Sequence, residues 1–198
     1  MTTTKYTALI VGLVAIASIG GAYALSQEFS SPQNSAKTEG MKSLGHIQLV
    51  VLGPDGAIKA YRQSDNLVVT NGDNVTANRI FGTTLTTSHA FSGAFSYIGV
   101  GTSATAAAVT QTDLSAVQSA HRLGTVSNGA IHGTAQVQVT FPANRLTNSS
   151  AVGIQESGLF DAQGNGTANA NMFARQTFSS ISVNPADTLQ VTWTVTIT

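Results

Sequence analysis

The sequence contains no cysteine among its 198 residues. This absence excludes disulfide bonds, thiolate catalysis, and zinc or iron–sulfur sites held by cysteine. If the chain is exported, its stability must therefore come from packing alone. A domain of about 150 residues can bury enough surface to be stable in that way.

Charged residues are also scarce. They make up 9% of the chain and the formal net charge is zero, whereas soluble domains usually carry about a quarter of charged residues. No basic surface is available to attract nucleic acid or an anionic membrane surface, so we predict neither as a partner. Low charge also favours association between copies of the chain.

No motif with catalytic or metal-binding spacing is evident. The four histidines do not lie at short ligand spacing from one another: His46, His89, His121 and His132. The glycines at 99 and 101 are not followed by the lysine of a phosphate-binding loop, and no serine lies in a nucleophile elbow. We therefore predict no enzyme, no catalytic residue, no cofactor and no metal. An enzyme would require the fold to gather scattered histidines and carboxylates.

The N-terminal segment is strongly apolar. Lys5 precedes an uncharged run from Tyr6 to Leu25 that is long enough to span a bilayer as a helix. The same run, with Ala22-Tyr23-Ala24 as a small-x-small cleavage site, is typical of a secretory signal. Residues 1–25 are thus predicted to be a signal peptide or a membrane anchor, and either places the remainder outside the cytoplasm.

Residues 26–44 are polar and lack an apolar period, so we predict a flexible linker there. Three Asn-x-Ser/Thr sequons follow in the chain. If the host glycosylates exported proteins, these asparagines are candidate acceptors in surface loops: Asn74, Asn148 and Asn165.

Residues 45–198 are predicted to form one all-β domain, an antiparallel β-sandwich with one short helix. Short alternating segments are separated by turn residues throughout this region, which is typical of a sandwich. Ile58, Ala60 and Arg62 should share one side of one strand, and Val137, Val139 and Phe141 should point inward in another. In a later strand, Met172 and Ala174 should share one face and Phe173 and Arg175 the other.

The segment from Asn71 to Gly82 is the predicted helix, capped by Asn71 or Asp73, with Val75, Ile80 and Phe81 buried on one side. A single helical turn is expected near Asp113 to Val117.

The strand Asp187–Thr198 alternates strictly between apolar residues and Thr or Gln. Its apolar face, which carries the only tryptophan, Trp193, is predicted to be core. The threonine face resembles an ice-binding array, but such a surface needs several strands with this pattern and only one has it. Thr is also common on the solvent face of strands.

The C-terminal half resembles a module of tailed-phage virion proteins of the tail-fibre and baseplate type. The resemblance is carried by "YIGVGTSATAAAVTQTDL" and by "ESGLFDAQGNGTANANMFARQTF" with "DTLQVTW". It implies a structural or adhesive role without catalysis. In the hairpin from "ESGLFD" to "MFAR", Arg175 should pair with Glu156 or Asp161. The chain departs from the module at its front, because phage tail proteins need no export signal.

These observations favour a non-enzymatic structural subunit or adhesin on a cell or virion surface. It would self-associate into an oligomer or filament by adding its N-terminal arm or last strand to a neighbour's sheet edge. The alternative is a membrane-tethered monomer that binds a glycan or protein through the loops 83–96 and 103–112. Its candidate ligand contacts are the aromatic residues Tyr61, Phe91, Phe95 and Tyr97.

Overall fold

The computed structural model describes residues 42–164 and 170–198. The predicted signal or anchor at 1–25, nearly all of the predicted linker and the sequon at Asn165 lie outside these residues. The first strand begins at Ser43, two residues before the predicted start of the domain. Among the described residues, no helix is both long and apolar enough to cross a membrane.

In the described part of the chain, ten strands form two antiparallel five-stranded sheets, as predicted for a β-sandwich. The first sheet has the order β2-β1-β10-β7-β6. Its strands are β1 (Ser43–Leu52), β2 (Ile58–Asp65), β6 (Thr125–Asn128), β7 (Thr134–Phe141) and β10 (Thr188–Ile197). The second sheet has the order β3-β9-β8-β4-β5. Its strands are β3 (Leu67–Val68), β4 (Tyr97–Gly101), β5 (Arg122–Leu123), β8 (Val152–Phe160) and β9 (Met172–Val183).

The core lies between the sheets. Alternate residues of β1, β7 and β10 meet residues of β4, β8 and β9 in one buried cluster. Trp193 is fully buried at its centre, and its indole N–H donates to the Ser157 hydroxyl of the opposite sheet at 3.1 Å. The predicted inward residues Val137, Val139 and Phe141 are buried, as is the apolar face of β10 from Leu189 to Trp193. The prediction for β7 is confirmed, and that for β10 is confirmed from Leu189 to Trp193, whereas Ile197 is 41% exposed.

β10 is the middle strand of its sheet, paired with β1 on one side and β7 on the other. This corrects the idea that the last strand could be lent to a neighbour, because its removal would break both ladders and expose the core. Its Thr192 and Thr194 hydroxyls accept hydrogen bonds from Gln138 and Gln136 of β7. The threonine row therefore remains confined to one strand.

The helix, α1 (Thr70–Phe81), is close to its predicted place, but its details differ. Its N-cap is Val69, with no side-chain cap, and Asn71 is buried in other contacts. Val75 is buried as expected, whereas Ile80 and Phe81 are 50% and 68% exposed. Gly72 allows the first turn to touch β9, since an added Cβ would lie 2.2 Å from the Phe173 carbonyl oxygen. The helix thus rests on β9 by its first turns and leaves its last turn in solvent.

Irregularities in the strands overturn two predicted face assignments. The β1–β2 ladder shifts register between Val51 and Leu52, so Ile58, which is 69% exposed, does not share a side with Ala60, which packs against the core. The β8–β9 ladder shifts between Leu159 and Phe160, so the alternation expected from Met172 onward fails. Phe173 and Ala174 both join the main core. A bulge inserts an extra residue and so reverses the faces that follow it.

The outer faces of the two sheets differ. That of the first sheet is open to solvent; it carries Thr and Gln on β7 and β10 and the exposed Leu44 and Tyr61 on β1 and β2. That of the second is covered by the segment 102–121. Beneath this segment lies a smaller buried cluster of Val69, Leu114, Phe160, Ala170 and Met172. The segment contains no helical turn near 113–117, contrary to prediction; Leu114 packs into the cluster instead, and Val117 forms an isolated bridge with Gly101. Where this segment covers it, the second sheet is therefore buried on both faces, whereas Ser179 and Ser180 of β9 remain exposed.

Candidate functional site

A fully buried ion pair lies on the covered face of the second sheet. Arg175 donates from Nε and Nη2 to Glu156 Oε2, at 2.9 and 2.7 Å, and both side chains are inaccessible to solvent. Of the two carboxylates proposed for Arg175, the structure pairs it with Glu156. β8 and β9 place the two residues side by side, because Glu156 faces Thr177 and Gly158 faces Arg175 in the ladder.

The ion pair holds the segment 102–121, here called the covering segment, through backbone groups of that segment. Glu156 accepts hydrogen bonds from the backbone N–H groups of Ser115 and Ala116, at 3.0 and 2.7 Å, and from that of Ser103. Arg175 donates to the Thr105 carbonyl and to the Gln111 side chain. Each charged group thus finds partners in the segment, which a buried ion pair needs in order to offset its loss of hydration.

Asp161 has a different role from the one predicted. Its carboxylate accepts from the backbone N–H of Asn171 at 2.6 Å and from the Asn171 side-chain amide at 2.8 Å. The Asn171 side chain in turn accepts from the backbone N–H of His89, and Asn71 accepts from that of Ser88. Together, Asp161, Asn171 and Asn71 fix the loop 83–96, as the ion pair fixes the segment 102–117.

These two anchored loops form a polar cleft with the start of α1. The cleft has a volume of about 320 Å³. The residues that line it are uncharged and, apart from Val109, polar in type: Thr70, Asn71, Asn74, Thr86, Thr87, Ser88, Val109, Thr110, Gln111 and Thr112. The loops predicted to carry ligand contacts are therefore neighbours, and what they offer jointly is hydrogen-bonding groups.

A second concavity, here called the end groove, opens between the sheets at one end of the sandwich. Its volume is about 360 Å³. The first sheet contributes Ser43, Val126, Ala135, Val137, Val195 and Ile197; the other wall consists of Thr76, Arg79, Ile80, Phe91, Ala94, Phe95, Leu159 and Phe173. The lining is overwhelmingly apolar. Its one charged group, the Arg79 guanidinium, lies 3.6 Å from the centre of the Phe91 ring.

The four aromatic residues predicted as ligand contacts do not form one site. Phe91 and Phe95 meet edge to face, with ring centres 6.4 Å apart, and both line the end groove. Tyr61 lies on β2 and donates to Gln63, and Tyr97 packs against the smaller cluster. None of the four lines the polar cleft. The aromatic and polar elements of a typical glycan site are thus separated here.

Two histidines lie near carboxylates, and His121 Nε2 is 3.9 Å from Asp113 Oδ1. Within the described residues, no three metal-ligating side chains converge. His46 lies 3.0 Å from Asp65, but that carboxylate is almost fully exposed. His121 is buried and stacks on Phe160, with ring centres 3.7 Å apart. The predicted absence of enzyme activity stays a prediction.

Two of the candidate glycosylation sites can be compared. Asn74 lies within α1, and its side-chain amide already donates to the Thr86 carbonyl at 2.7 Å. Asn148 lies in an exposed loop. Attachment of a glycan needs a free side-chain amide. In the folded protein Asn148 is exposed, whereas the amide of Asn74 is engaged in a hydrogen bond.

No family model, curated protein or solved structure matched the chain. The resemblance to phage virion modules therefore stays a prediction, and function must be argued from the surfaces described above. Neither the groove nor the cleft was predicted as such. The sequence shows Ile80 and Phe81 as apolar residues, but their spacing in the helix predicts burial and not exposure.

We expect Arg175→Met to lower the free energy of unfolding by about 3–5 kcal/mol, since it leaves the Glu156 carboxylate buried without its counter-charge. Denaturant unfolding measures this loss. Arg62→Met, at an exposed arginine on β2, is the matched control and should cost about 0.5 kcal/mol or less. Equal losses in the two variants would show that the pair does not support the covering segment.

Burial lowers the pKa of His121 from 6.5 to about 4. Between these pH values the unfolded chain binds a proton that the folded chain does not, so the free energy of unfolding decreases as the pH falls. From pH 7 to pH 4.5, His121 should account for a loss of about 2–3 kcal/mol. Denaturant unfolding at both pH values should show a smaller loss for His121→Leu than for the native chain.

Other groups titrate in the same range, so the comparison between variants carries the result. Burial raises the pKa of Asp113, which acts in the opposite direction, and the hydrogen bond from Lys59 lowers the pKa of Asp187. His132→Leu, at an exposed histidine, should retain the native pH dependence. If His121→Leu retains it as well, the buried histidine is not the source.

Proposed function

We propose that the chain is a non-enzymatic, extracellular structural subunit or adhesin that associates with copies of itself. The observation that carries this proposal is the end groove beside the edge strand β6. Val126 of β6 lines the groove and is 55% exposed, and Ile80 and Ile197 also expose apolar surface at its mouth. Clustered apolar surface of this kind marks interaction sites in soluble proteins.

The edges of the first sheet support the same proposal. β2 carries Lys59, Arg62 and Asp65, and such charges on an edge discourage pairing with another chain. β6, with the sequence TVSN, carries no charge. Since edge strands with free backbone groups accept additional strands, β6 is the edge at which a neighbour would pair.

An extracellular location is supported by the uncharged N-terminal run, which is typical of a secretory signal or membrane anchor. The phage-virion resemblance of the C-terminal half is in keeping with a virion or cell-surface subunit. The low overall charge offers little repulsion between copies.

We expect the full chain to form oligomers or filaments and Val126→Lys to shift it towards monomers, because the new charge would have to be buried at the contact. Light scattering and negative-stain microscopy measure the assembly. Ile58→Lys, at a comparably exposed aliphatic residue on β2, should assemble like the native chain. A native chain that stays monomeric at high concentration would contradict the proposal.

A second candidate function is a monomeric binding module for a neutral glycan, and the polar cleft favours it. Uncharged hydroxyl and amide groups from two separately anchored loops converge there. Neutral sugars are recognised through such groups, usually with an aromatic ring beside them, and no aromatic side chain lines this cleft.

If the cleft binds a glycan, a glycan array probed with the full chain should give signals that Thr112→Arg abolishes by filling the cleft. Thr140→Arg, on the exposed outer face of the first sheet, should leave the signals unchanged. A blank array, together with assembly of the same sample, would remove this second function.

A further inference from the structure

The end groove lies where the described chain begins. Lys42 exchanges two backbone hydrogen bonds with Thr198, at 2.8 and 3.0 Å, which fixes the start of β1 beside the end of β10. The next residue, Ser43, lines the groove, as does Ile197. Lys42, the first described residue, therefore lies beside the mouth of the groove.

The lining of the end groove is complementary to an uncharged, apolar ligand. Its walls are aliphatic and aromatic apart from Ser43, Thr76 and Arg79, and Arg79 is engaged with the Phe91 ring. A charged peptide or a sugar would lose hydration there without gaining hydrogen bonds. Leu, Ile and Val side chains would gain about 25 cal/mol for each Å² removed from water.

The chain itself contains such an occupant. Residues 6–25 include no charged residue and are rich in Leu, Ile, Val and Ala. We propose that this segment is retained after export and that the end groove of one copy receives part of it from a neighbouring copy. This inference rests on the proposed function, since it names the contact through which the subunits associate.

The contact joins two different surfaces, so it is heterologous. Each copy offers one groove and one apolar segment, and repetition of such a contact gives rings or open filaments. The intervening residues 26–41 could span roughly 50 Å when extended, at about 3.3 Å per residue. That reach is enough for the segment of one copy to enter the groove of the next.

The absence of native cysteine permits a direct test by cross-linking. Ile80→Cys is introduced into one full-length chain and Ala15→Cys into a second chain with a different tag, and the two are co-expressed. A short bismaleimide should join the two tags, because Ile80 lines the groove and Ala15 lies within the segment. Ile58→Cys replaces Ile80→Cys in the control, because Ile58 is also exposed and lies on β2, paired with Leu52 at the far end of β1.

A several-fold excess of the mixed-tag product over the Ile58 control supports the proposal. Assemblies that form without this excess overturn the groove contact and leave self-association standing, whereas loss of both assembly and product overturns both. A link formed within single chains carrying both cysteines, with no mixed-tag product, assigns the groove to its own chain and overturns the proposal. Protection of the Ile80 cysteine only by phospholipid vesicles assigns it to a membrane and also overturns it.

Discussion

The buried Arg175–Glu156 pair is the interaction on which the second sheet depends. Neither charge reaches solvent, and removing two such charges from water costs several kcal/mol for each ion. The cost is offset only because the segment 102–117 supplies backbone N–H groups to the carboxylate and acceptors to the guanidinium. The segment and the pair therefore require each other.

Close packing at this point also explains a glycine. An added Cβ at Gly101 would lie 2.4 Å from Glu156 Oε1 and 2.4 Å from the Ala116 carbonyl oxygen. β4 can thus end directly against the ion pair only if this position has no side chain. The "GVGT" sequence that superficially suggests a phosphate loop is explained by the approach of the covering segment to the sheet.

Both concave surfaces follow from the way the loops are anchored. The Asp161–Asn171–Asn71 network fixes the loop 83–96, which carries Phe91 and Phe95 to one wall of the end groove. The opposite side of the same loop meets the segment 102–117 across the polar cleft. Two surfaces of contrasting chemistry therefore share one loop, and disturbing its anchor would affect both.

The sequence was sufficient to predict the sandwich, the core faces of β7 and β10 and the place of α1, because these depend on local periodicity. It was insufficient where a register shift intervened, at Ile58 and after Met172, since a bulge leaves no mark in an apolar pattern. Apolar residues in the last turn of α1 predict burial, because apolar side chains usually lie in the core. In the structure this turn extends past β9 and its apolar residues are exposed. From the sequence, Arg175 could pair with either Glu156 or Asp161. The choice depends on which face Glu156 occupies after the register shift between Ile154 and Glu156.

The difference between the two outer faces determines where association can be favourable. On the first sheet, Gln138 bonds to Thr192, Gln136 to Thr194 and Thr134 to Thr196, so these groups already have partners. Stacking this face on another copy would mainly exchange hydrogen bonds with water for equivalent ones, with little net gain. Burial of the apolar end groove removes apolar surface from water without a comparable exchange of hydrogen bonds. Association is therefore directed to the end of the sandwich and the β6 edge. The polar side chains of β7 and β10 remain hydrated on the outer face of the first sheet.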